Sequence, residues 1–583
     1  MGRHGSPHAR EGHRLQESKR GTGEPRAGRD HGSGRRACDR APAVSLSSPD
    51  GAVVPVKKLT SVGGEFVAWA EAGKAVTYAL GRTFFRYDLD AAKKAEDAAT
   101  KKAEDADKAK SQAESPQGNK QAAREDKEKE ERKKPAYEAP GTEVIVEAAR
   151  EKPSGTVVLR GARAITMKGD EVIENADVVV TDNRIAAVGR RGQVSIPAGT
   201  KTIDVSGKTI VPGFVDVHAH IWPAWNIHKT QIWEYLANLA YGVTTTRDPQ
   251  TATTDVLSYR DMVETGQMLG PRIYATGPGV FSSDNIQSID DARDVLTRYS
   301  KYWETHTIKQ YMVGNRQQRQ WVAMAAKEQQ LMPTLEGGLD LKLNLTQIMD
   351  GYPGLEHTLP ITPLYKDVVH LVAQSGITYT PTLLVQYGGP WAENYFYEHT
   401  DVHGDAKMRR FAPHKDLDRD VLRRPWFADQ EYSFPAAAKV IADIVAGGGR
   451  IGLGGHGQRQ GIQDHWEMWA IASGGLPNHE VLKIATINGA RAIGMEKDLG
   501  SLEKGKLADL VVLDKNPLEN IRNTNTVRYV MKNGDLYEGD TLDQIWPRQK
   551  KLPRQYWWDL DPKPRQNAPK RPAITTTDDS RHR

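Results

Sequence analysis

The sequence predicts an α/β fold: a (β/α)8 TIM barrel with a small β-sandwich, and a remnant of one β-propeller blade. Between residues 212 and 498, strand-like apolar segments alternate with amphipathic helical patterns such as 319–328 and 436–445. Eight such units in series form a closed barrel. Strand patterns at 141–211 and 499–545 flank this region, so we expect a β-sandwich built from both ends of the domain. The predicted barrel strands end near His220, Arg247, Gly277, Gln310, Glu336, His357, Leu384 and His456.

The first 140 residues have a different character. Residues 1–50 are rich in Arg, Gly, His and Ser with almost no apolar periodicity, which predicts a disordered basic tail. Segments 65–69, 75–80 and 83–87 are short strands separated by glycine turns, typical of part of a propeller blade within 51–140. A propeller needs about four to eight blades. We therefore expect the chain to be truncated or mis-started.

Two further segments lack an apolar stripe. A near-repeat of Lys, Ala, Glu and Asp marks a charged low-complexity insertion at 91–135, which is either helical or disordered. Residues 546–583 form a C-terminal extension.

Composition argues against several functional classes. The net charge of +5 arises from 80 basic and 75 acidic residues, a balance that does not favour nucleic acid as a partner. No run of about 18 apolar residues is present, so we expect no membrane span. The first residues lack the apolar core of a signal peptide. The single cysteine, Cys38, leaves no intrachain disulfide.

Two histidines, His218 and His220, end an apolar run that begins at Val211. Residues i and i+2 of a strand project to the same face, so both imidazoles point to one side at the carboxyl end of a buried strand. That arrangement offers two nitrogen ligands to one metal ion. The alternative is two incidental polar residues at a strand end.

The run Pro212–His220 resembles the first-strand signature of the metal-dependent amidohydrolase superfamily. Two later stretches, Ala485–Gly494 and Gly500–Leu513, resemble the closing helix of that superfamily and its return to a β-sandwich. The resemblance covers roughly residues 150 to 545. Within the superfamily, the chain is similar to the imidazolonepropionase-like branch, of the kind fused to a TolB-like β-propeller.

The resemblance implies a metal-dependent hydrolase of amide or cyclic amide C–N bonds that uses a metal-activated water. It implies one or two divalent ions, zinc in the first place, with Mn²⁺ or Fe²⁺ as alternatives, and a small-molecule or short-peptide substrate. It leaves a homo-oligomer open. For a full-length form it implies a periplasmic or secreted protein, and otherwise a cytoplasmic one.

The same resemblance implies a set of site residues. Lys309 corresponds to a lysine that many relatives carbamylate to bridge two metals and is expected to be catalytic; the alternative is an ordinary lysine paired with a carboxylate. Glu336 stands where relatives carry a histidine ligand, and it either binds the metal or lies behind the ligands. His357 follows Glu356 as in the sixth-strand pair of the family. His357 is expected to be a ligand, and Glu356 is expected to point to the other face.

The predicted eighth strand departs from the family because His456 stands where relatives carry an aspartate. A histidine there acts either as a metal ligand or as a general base near neutral pH. The segment Asp464–Glu467 resembles a pair that orients this loop. Tyr311 and Arg247, at neighbouring strand ends, are expected to contact substrate or to have structural roles.

Several alternatives stay open from the sequence. The aromatic segment 385–435, which includes Trp391, Tyr395, Phe396, Tyr397 and Trp426, either covers the pocket or forms another surface. The function is either C–N hydrolysis, a dipeptidase of Xaa-Pro type, or a catalytically impaired metal-binding scaffold. An isomerase or lyase on the same metal site is a further alternative.

Overall fold

The computed structural model of the chain describes residues 56–111, 135–223, 226, 228–422, 424–425 and 427–560. The predicted tail at 1–50 and the part of the C-terminal extension after residue 560 lie outside the described residues. The chain divides into two compact units. The smaller unit comprises the chain up to Glu143 together with Phe281–Asn285, and the larger unit comprises Val144–Val280 and the chain from Ile286 onward.

The smaller unit contains a four-stranded antiparallel sheet in the order β1-β2-β3-β4. Its strands are β1 (Glu65–Ala70), β2 (Ala75–Leu80), β3 (Thr83–Asp88) and β4 (Gly141–Glu143). Strands thus form at the three predicted segments. β4 pairs with β3 and lies where the sequence predicted the β-sandwich to begin, so the predicted boundary at 140 is too early. Helix α1 (Leu89–Ser111) is almost entirely exposed, which is the helical form expected for the start of the charged insertion.

A mixed sheet of nine strands in the larger unit is assembled from segments that precede and follow the parallel strands. Its strands are β5 (Thr156–Ile165), β6 (Val172–Thr181), β7 (Arg184–Arg190), β8 (Lys201–Asp204), β9 (Thr209–Pro212), β18 (Leu510–Leu513), β19 (Val527–Lys532), β20 (Asp535–Glu538) and β21 (Gln544–Trp546). β5 carries a bulge around Gly161, where φ is +86° and a Cβ atom would lie 2.5 Å from Ser206 Oγ. Because β5 changes direction there, its first half pairs with β8 and its second half with β9.

The eight remaining strands are parallel and follow one another in sequence order, in one sheet of three and one of five. They are β10 (Phe214–Asp216), β11 (Val243–Asp248), β12 (Arg272–Ala275), β13 (Thr307–Gln310), β14 (Met332–Glu336), β15 (Gly354–Glu356), β16 (Thr378–Thr380) and β17 (Arg450–Ile451). Backbone hydrogen bonds also link the two sheets: Val217 N donates to Leu453 O over 2.9 Å, and Val280 N donates to Lys309 O over 2.8 Å.

Helices alternate with these strands, which makes the larger unit a mixed α/β fold. They are α2 (Trp233–Ala240), α3 (Asp255–Glu264), α4 (Ile289–Thr297), α5 (Arg316–Glu328), α6 (Leu341–Met349), α7 (Lys366–Gln374), α8 (Ala392–His399), α9 (Ala406–Phe411), α10 (His414–Val421), α11 (Phe434–Ala446), α12 (Gln463–Ala472), α13 (Asn478–Lys483) and α14 (Gly489–Ala492). The two helices predicted at 319–328 and 436–445 are confirmed within α5 and α11. The predicted seventh strand end near Leu384 is wrong, because β16 ends at Thr380 and Leu384 lies in a short 3₁₀ helix.

The segment 385–435 is helical and contributes to the largest apolar core of the unit. Phe396 and Tyr397 of α8 are buried there, with their rings 5.6 Å and 5.0 Å from that of Trp466. The prediction that the aromatic residues of this segment cover a pocket is therefore wrong for these two side chains, because they fill the core. Trp391 is exposed, and Trp426 lies outside the described residues. Within the described parts of the chain, none of the helices has both the length and the apolar character needed to cross a membrane.

Candidate metal centre

Four histidine rings meet at the carboxyl ends of the parallel strands. The ring centroids of His218 and His220 lie 5.0 Å apart, and His456 lies 5.0 Å from the first and 4.9 Å from the second. His357 lies 4.9 Å from His218 and 5.1 Å from His456. The structure therefore brings together four of the six residues predicted as metal ligands. Ligand atoms of His218, His357 and His456 all lie within 4.8 Å of one another.

The backbone around His456 allows it to approach the first strand closely. His456 has a left-handed φ of +66°, and its N–H donates to the carbonyl oxygen of His218 over 2.7 Å. Gly454 packs against His218 so tightly that a Cβ atom at position 454 would lie 2.7 Å from the Cβ of His218. The glycine run before His456 is thus required for contact between the first and last parallel strands.

His218 is held from behind by a buried ion pair. Its Nδ1 lies 2.7 Å from Glu356 Oε2, while Glu356 Oε1 accepts a hydrogen bond from Arg247 Nη1 over 3.0 Å. The expectation that Glu356 points to the other face is wrong. Strict alternation fails here because β15 ends at Glu356 and His357 adopts a left-handed φ of +69°. Both side chains therefore reach the same cluster.

Arg247 is buried beneath the histidines, and its donors are taken up by protein groups. Besides Glu356, the guanidinium donates to Thr307 Oγ1, to Thr334 Oγ1 and to the carbonyl oxygen of Val217. This geometry favours the structural alternative for Arg247 over a substrate contact. Burial acts to raise the pKa of Glu356, but Lys309 and Arg247 outweigh it, so the pKa lies below the ordinary carboxyl value.

Asp248 stands behind His220, a partner that the sequence reasoning missed. The Nδ1 atom of His220 lies 3.4 Å from Asp248 Oδ1, longer than a well-formed hydrogen bond. Asp248 is itself fixed, since its two oxygens accept backbone N–H groups of Gln250 and Ile221. A carboxylate directly after Arg247 at a strand end was the available signal. On the open side, Trp222 stacks at 20° on His220, with 5.9 Å between centroids.

Glu336 and Lys309 form the opposite side of the site. Lys309 is completely buried, and its Nζ lies 2.8 Å from Glu336 Oε2. Glu336 Oε1 lies 3.1 Å from His357 Nε2 and accepts a hydrogen bond from the Tyr387 hydroxyl over 3.0 Å. Burial acts to raise the pKa of Glu336, but Lys309 and His357 lower it well below the ordinary value. Tyr311 places its ring centroid 5.3 Å from Lys309 Nζ.

The two remaining histidines have neutral groups at their second ring nitrogen. His357 Nδ1 lies 2.9 Å from Thr382 Oγ1, and His456 Nδ1 lies 3.2 Å from Gln458 Oε1. Burial of the His456 ring, followed by the neighbouring His220 and His357, holds its pKa well below the ordinary histidine value. His456 is therefore a neutral imidazole at neutral pH.

Three buried carboxyl groups support the site from below. Asp216 Oδ1 accepts hydrogen bonds from the backbone N–H groups of His218 and Gly455. Burial raises the pKa of Asp216 to about 6, and burial together with Asp216 raises the pKa of Asp464 well above its ordinary value. Glu467 accepts the N–H groups of Leu383 and Leu384, next to Thr382. Glu467 therefore holds the turn after β16, and the backbone of Gly455 beside His456 is held by Asp216, so the loop-orienting role expected for the segment from Asp464 to Glu467 stays a prediction.

The donor set fits a divalent metal ion. The Nε2 atoms of His218 and His220 face each other at 3.2 Å, while carboxylates lie at both Nδ1 atoms. The carboxylate at His218 Nδ1 fixes the proton there, so His218 Nε2 presents a lone pair, and Asp248, 3.4 Å from His220 Nδ1, favours the same tautomer of His220. Two lone pairs at that distance repel unless a cation lies between them. Imidazole nitrogen is a preferred ligand of zinc and of other first-row metals.

The amidohydrolase family model matches residues 209–537, which is more than half of the chain. The chain belongs to this family. An adenine deaminase from Paracoccus denitrificans is 36% identical over 77 residues, which is 13% of this chain and 13% of that protein. A 5-methylthioadenosine/S-adenosylhomocysteine deaminase from Pelotomaculum thermopropionicum is 24% identical over 61% of this chain and 84% of that protein.

A solved Xaa-Pro dipeptidase with bound methionine shares the fold of this amidohydrolase. Its TM-score is 0.51 at 21% identity, and the match covers 66% of this chain and all of the other. At that identity the likeness concerns the fold alone. The family is typically metal-dependent, which agrees with the cluster of histidines.

Proposed function

We propose that this amidohydrolase is a metal-dependent hydrolase of C–N bonds, with the four-histidine cluster as its metal site. The observation that carries the proposal is the pair of imidazole Nε2 atoms 3.2 Å apart, each with a carboxylate behind it. Such carboxylate–histidine arrangements are typical of metal ligands, because the partner fixes the ring orientation and raises ligand basicity.

The proposal includes a closed barrel. The backbone hydrogen bonds from Val217 to Leu453 and from Val280 to Lys309 lie at the two gaps between the parallel sheets. They support one ring of eight strands, whose carboxyl ends carry the site as in other barrel enzymes. In the smaller unit, the four-stranded antiparallel sheet agrees with a propeller blade, since blades have four strands. These features support the imidazolonepropionase-like, TolB-fused branch.

His218, His220, His357 and His456 would hold a single ion, with zinc the first choice because the set is rich in imidazole. When bound, a divalent ion lowers the pKa of a water ligand and polarises a carbonyl group. The position of Lys309 supports one ion. Its buried Nζ, 2.8 Å from Glu336, suits an ammonium group, whereas a carbamate there would face a second anion.

Glu336 is the group best placed to move a proton. It is a carboxylate beside the histidines, with Oε1 3.1 Å from His357 Nε2, so its position suits a proton acceptor. Lys309 balances its charge, and the Tyr387 hydroxyl donates to it and orients it. The Tyr387 ring also stacks at 15° on His357, which fixes the wall of the site.

Within C–N hydrolysis, removal of an amino group from a planar heterocycle is a specific candidate. Two relatives are deaminases of adenine-type compounds. Trp222, partly exposed and nearly parallel to His220, offers a flat surface for such a ring.

The test is a substrate screen of the zinc- and manganese-loaded protein. Aminopurines, cyclic amides, dihydropyrimidines and Xaa-Pro dipeptides are each assayed for release of ammonia or of a new amine. We expect turnover in at least one of the first three classes, lost in His218→Ala/His220→Ala. Turnover of the dipeptides alone would favour the peptidase alternative, and a loaded protein inactive on all four classes would favour the scaffold.

A further inference from the structure

A chain of polar contacts runs from His456 into the helical segment that follows β16. Gln458 Oε1 lies 3.2 Å from His456 Nδ1, and Gln458 Nε2 donates to Glu393 Oε2 over 3.1 Å. The other oxygen of Glu393 accepts from Arg424 Nη2 over 2.7 Å. The contacts thus join the loop after His456 to the first turn of α8.

The far end of this series of contacts is held by several interactions of Arg424. Arg424 donates to Asn394 Oδ1 over 2.8 Å and stacks on the Tyr397 ring, with 3.7 Å between the guanidinium carbon and the centroid. The Glu393 side chain is 2% exposed and forms an ion pair with Arg424. Burial raises the pKa of Glu393 above the ordinary carboxyl value although Arg424 acts to lower it, so the carboxylate form rests on the geometry, namely the 2.7 Å ion pair with Arg424. An ionised carboxylate only accepts hydrogen bonds.

The carboxylate of Glu393 determines which group donates and which accepts in the two hydrogen bonds of Gln458. Glu393 requires a donor, so the amide nitrogen of Gln458 faces it and the amide oxygen faces His456. The reverse orientation would bring two acceptors together at a buried position, which is unfavourable. Since an amide oxygen only accepts, His456 Nδ1 must carry the proton. A neutral imidazole protonated at Nδ1 has its lone pair at Nε2.

We propose that Glu393, acting through Gln458, is a positioning residue that fixes the tautomer of His456 so that its Nε2 binds the metal ion. This inference rests on the proposed function for the identity of the metal site, but it concerns residues outside the ligand set. It assigns His456 the ligand role and explains how a histidine serves where relatives carry an aspartate.

The decisive variants change which of positions 393 and 458 donates the hydrogen bond and which accepts it. In Glu393→Gln, the new amide keeps its oxygen toward Arg424 and turns its NH₂ group toward Gln458. Gln458 must then turn its own NH₂ group toward His456, which forces the wrong tautomer. In Gln458→Glu, two carboxylates face each other. The double variant Glu393→Gln/Gln458→Glu restores a donor–acceptor pair and an acceptor toward His456.

The measurement is the Zn²⁺ affinity of the full chain by competition with a chromogenic chelator, together with the melting temperature of the metal-free protein. We expect Glu393→Gln to bind Zn²⁺ on the order of 10–100-fold more weakly, as for other groups behind metal ligands, and Gln458→Glu to lose less, because its carboxylate still accepts from His456. We expect the double variant to recover most of the loss in Glu393→Gln. The control is Glu328→Gln, which alters a surface pair with Arg293 and should leave the affinity unchanged.

A thermodynamic cycle separates positioning from a general structural role. In a His456→Ala background, Glu393→Gln should change the Zn²⁺ affinity by no more than about twofold, because Glu393 acts on the affinity only by orienting the imidazole of His456, which is absent there. If Glu393→Gln does not fold, Gln458→Met removes the acceptor and leaves the ion pair of Glu393 with Arg424 intact; it should show the same loss.

Three results would overturn the inference: wild-type affinity in Glu393→Gln, no recovery in the double variant relative to Glu393→Gln, or an undiminished effect without His456. If His456→Ala itself binds Zn²⁺ normally, the ligand role is wrong. The affinities remain readable even if the substrate screen fails, so a failed proposed activity and a failed positioning role are distinguishable.

Discussion

The four histidines form two pairs that differ in what holds their second ring nitrogen. Behind His218 and His220 stand the carboxylates Glu356 and Asp248. Behind His357 and His456 stand a threonine hydroxyl and a glutamine amide oxygen. Charged partners strengthen an imidazole as a ligand, whereas neutral partners fix its orientation without adding charge. The difference shows that two histidines of the cluster have charged partners at Nδ1 and the other two have neutral partners.

The largest expected effect comes from removing the carboxylate-backed pair. His218→Ala/His220→Ala should reduce bound metal to background while the protein stays folded, because residues at the carboxyl ends of barrel strands serve chemistry more than packing. Metal content after dialysis measures it. The matched control is His403→Ala/His414→Ala, two surface histidines that share Asp418. A full metal complement in the first variant would show that the metal site is wrongly assigned.

The pair with neutral partners is tested at His456. Because His456 is proposed as a ligand, His456→Ala should lose bound metal together with turnover. A loss of turnover on the order of 10²–10⁴-fold with the metal retained would make it a base instead. His456→Asp should retain activity. If the group acts as a base, the acid limb of the pH–rate profile should also move to lower pH, since a carboxylate loses its proton at lower pH than an imidazole. Unchanged turnover in His456→Ala would remove it from the mechanism.

The carboxylate behind His218 should matter for stability as well as for metal binding. Glu356→Gln leaves the buried guanidinium of Arg247 without its counter-charge, and breaking such a pair costs about 3–5 kcal/mol. Thr382→Val, behind His357, should cost about 1 kcal/mol. Denaturant unfolding of the metal-free proteins compares them, with Glu328→Gln as the surface control. Equal losses of unfolding free energy in Glu356→Gln and Thr382→Val would show that charged and neutral partners of the histidines contribute alike to stability.

The smallest expected effect lies behind His220. Asp248→Asn should weaken Zn²⁺ binding on the order of 10–100-fold, near the lower end because the contact is 3.4 Å long. Asp255→Asn is the control, because Asp255 forms a similar pair with His228 at the surface. Chelator competition reports both affinities. A Thr382→Val loss larger than that of Asp248→Asn would reverse the comparison.

The metal-facing residues could be predicted because their signals are local. Alternation along a strand places His218 and His220 on one face, and the predicted strand ends at Glu336, His357 and His456 each supplied one further polar side chain. Glu356 was assigned to the wrong face because the same rule was applied where His357 breaks it with a positive φ. The alternation of apolar and polar residues along a strand does not predict a positive φ at a residue other than glycine.

The partners of the histidines were harder to predict. Asp248 follows Arg247 directly, yet it acts on a ring from another strand. Glu393 contacts Gln458, which is 65 residues away in sequence and contacts His456 in turn. Glu393 lies on a helix whose sequence pattern predicts only which residues face the apolar core. Hydrogen-bond partners of this kind depend on how elements far apart in sequence pack together. Hydrophobic periodicity predicts single helices and strands but not which of them pack together.

The close contact between His456 and His218 also has a consequence for assembly of the protein. These residues are about 240 positions apart, and the backbone bond between them joins the first parallel strand to the last. Contacts of such separation form late in folding, because a long stretch of chain must be ordered first. An ion bound by both residues would add a further contact between the first and the last parallel strand. Because such an ion binds the folded chain, rising metal concentration should raise the unfolding temperature steadily.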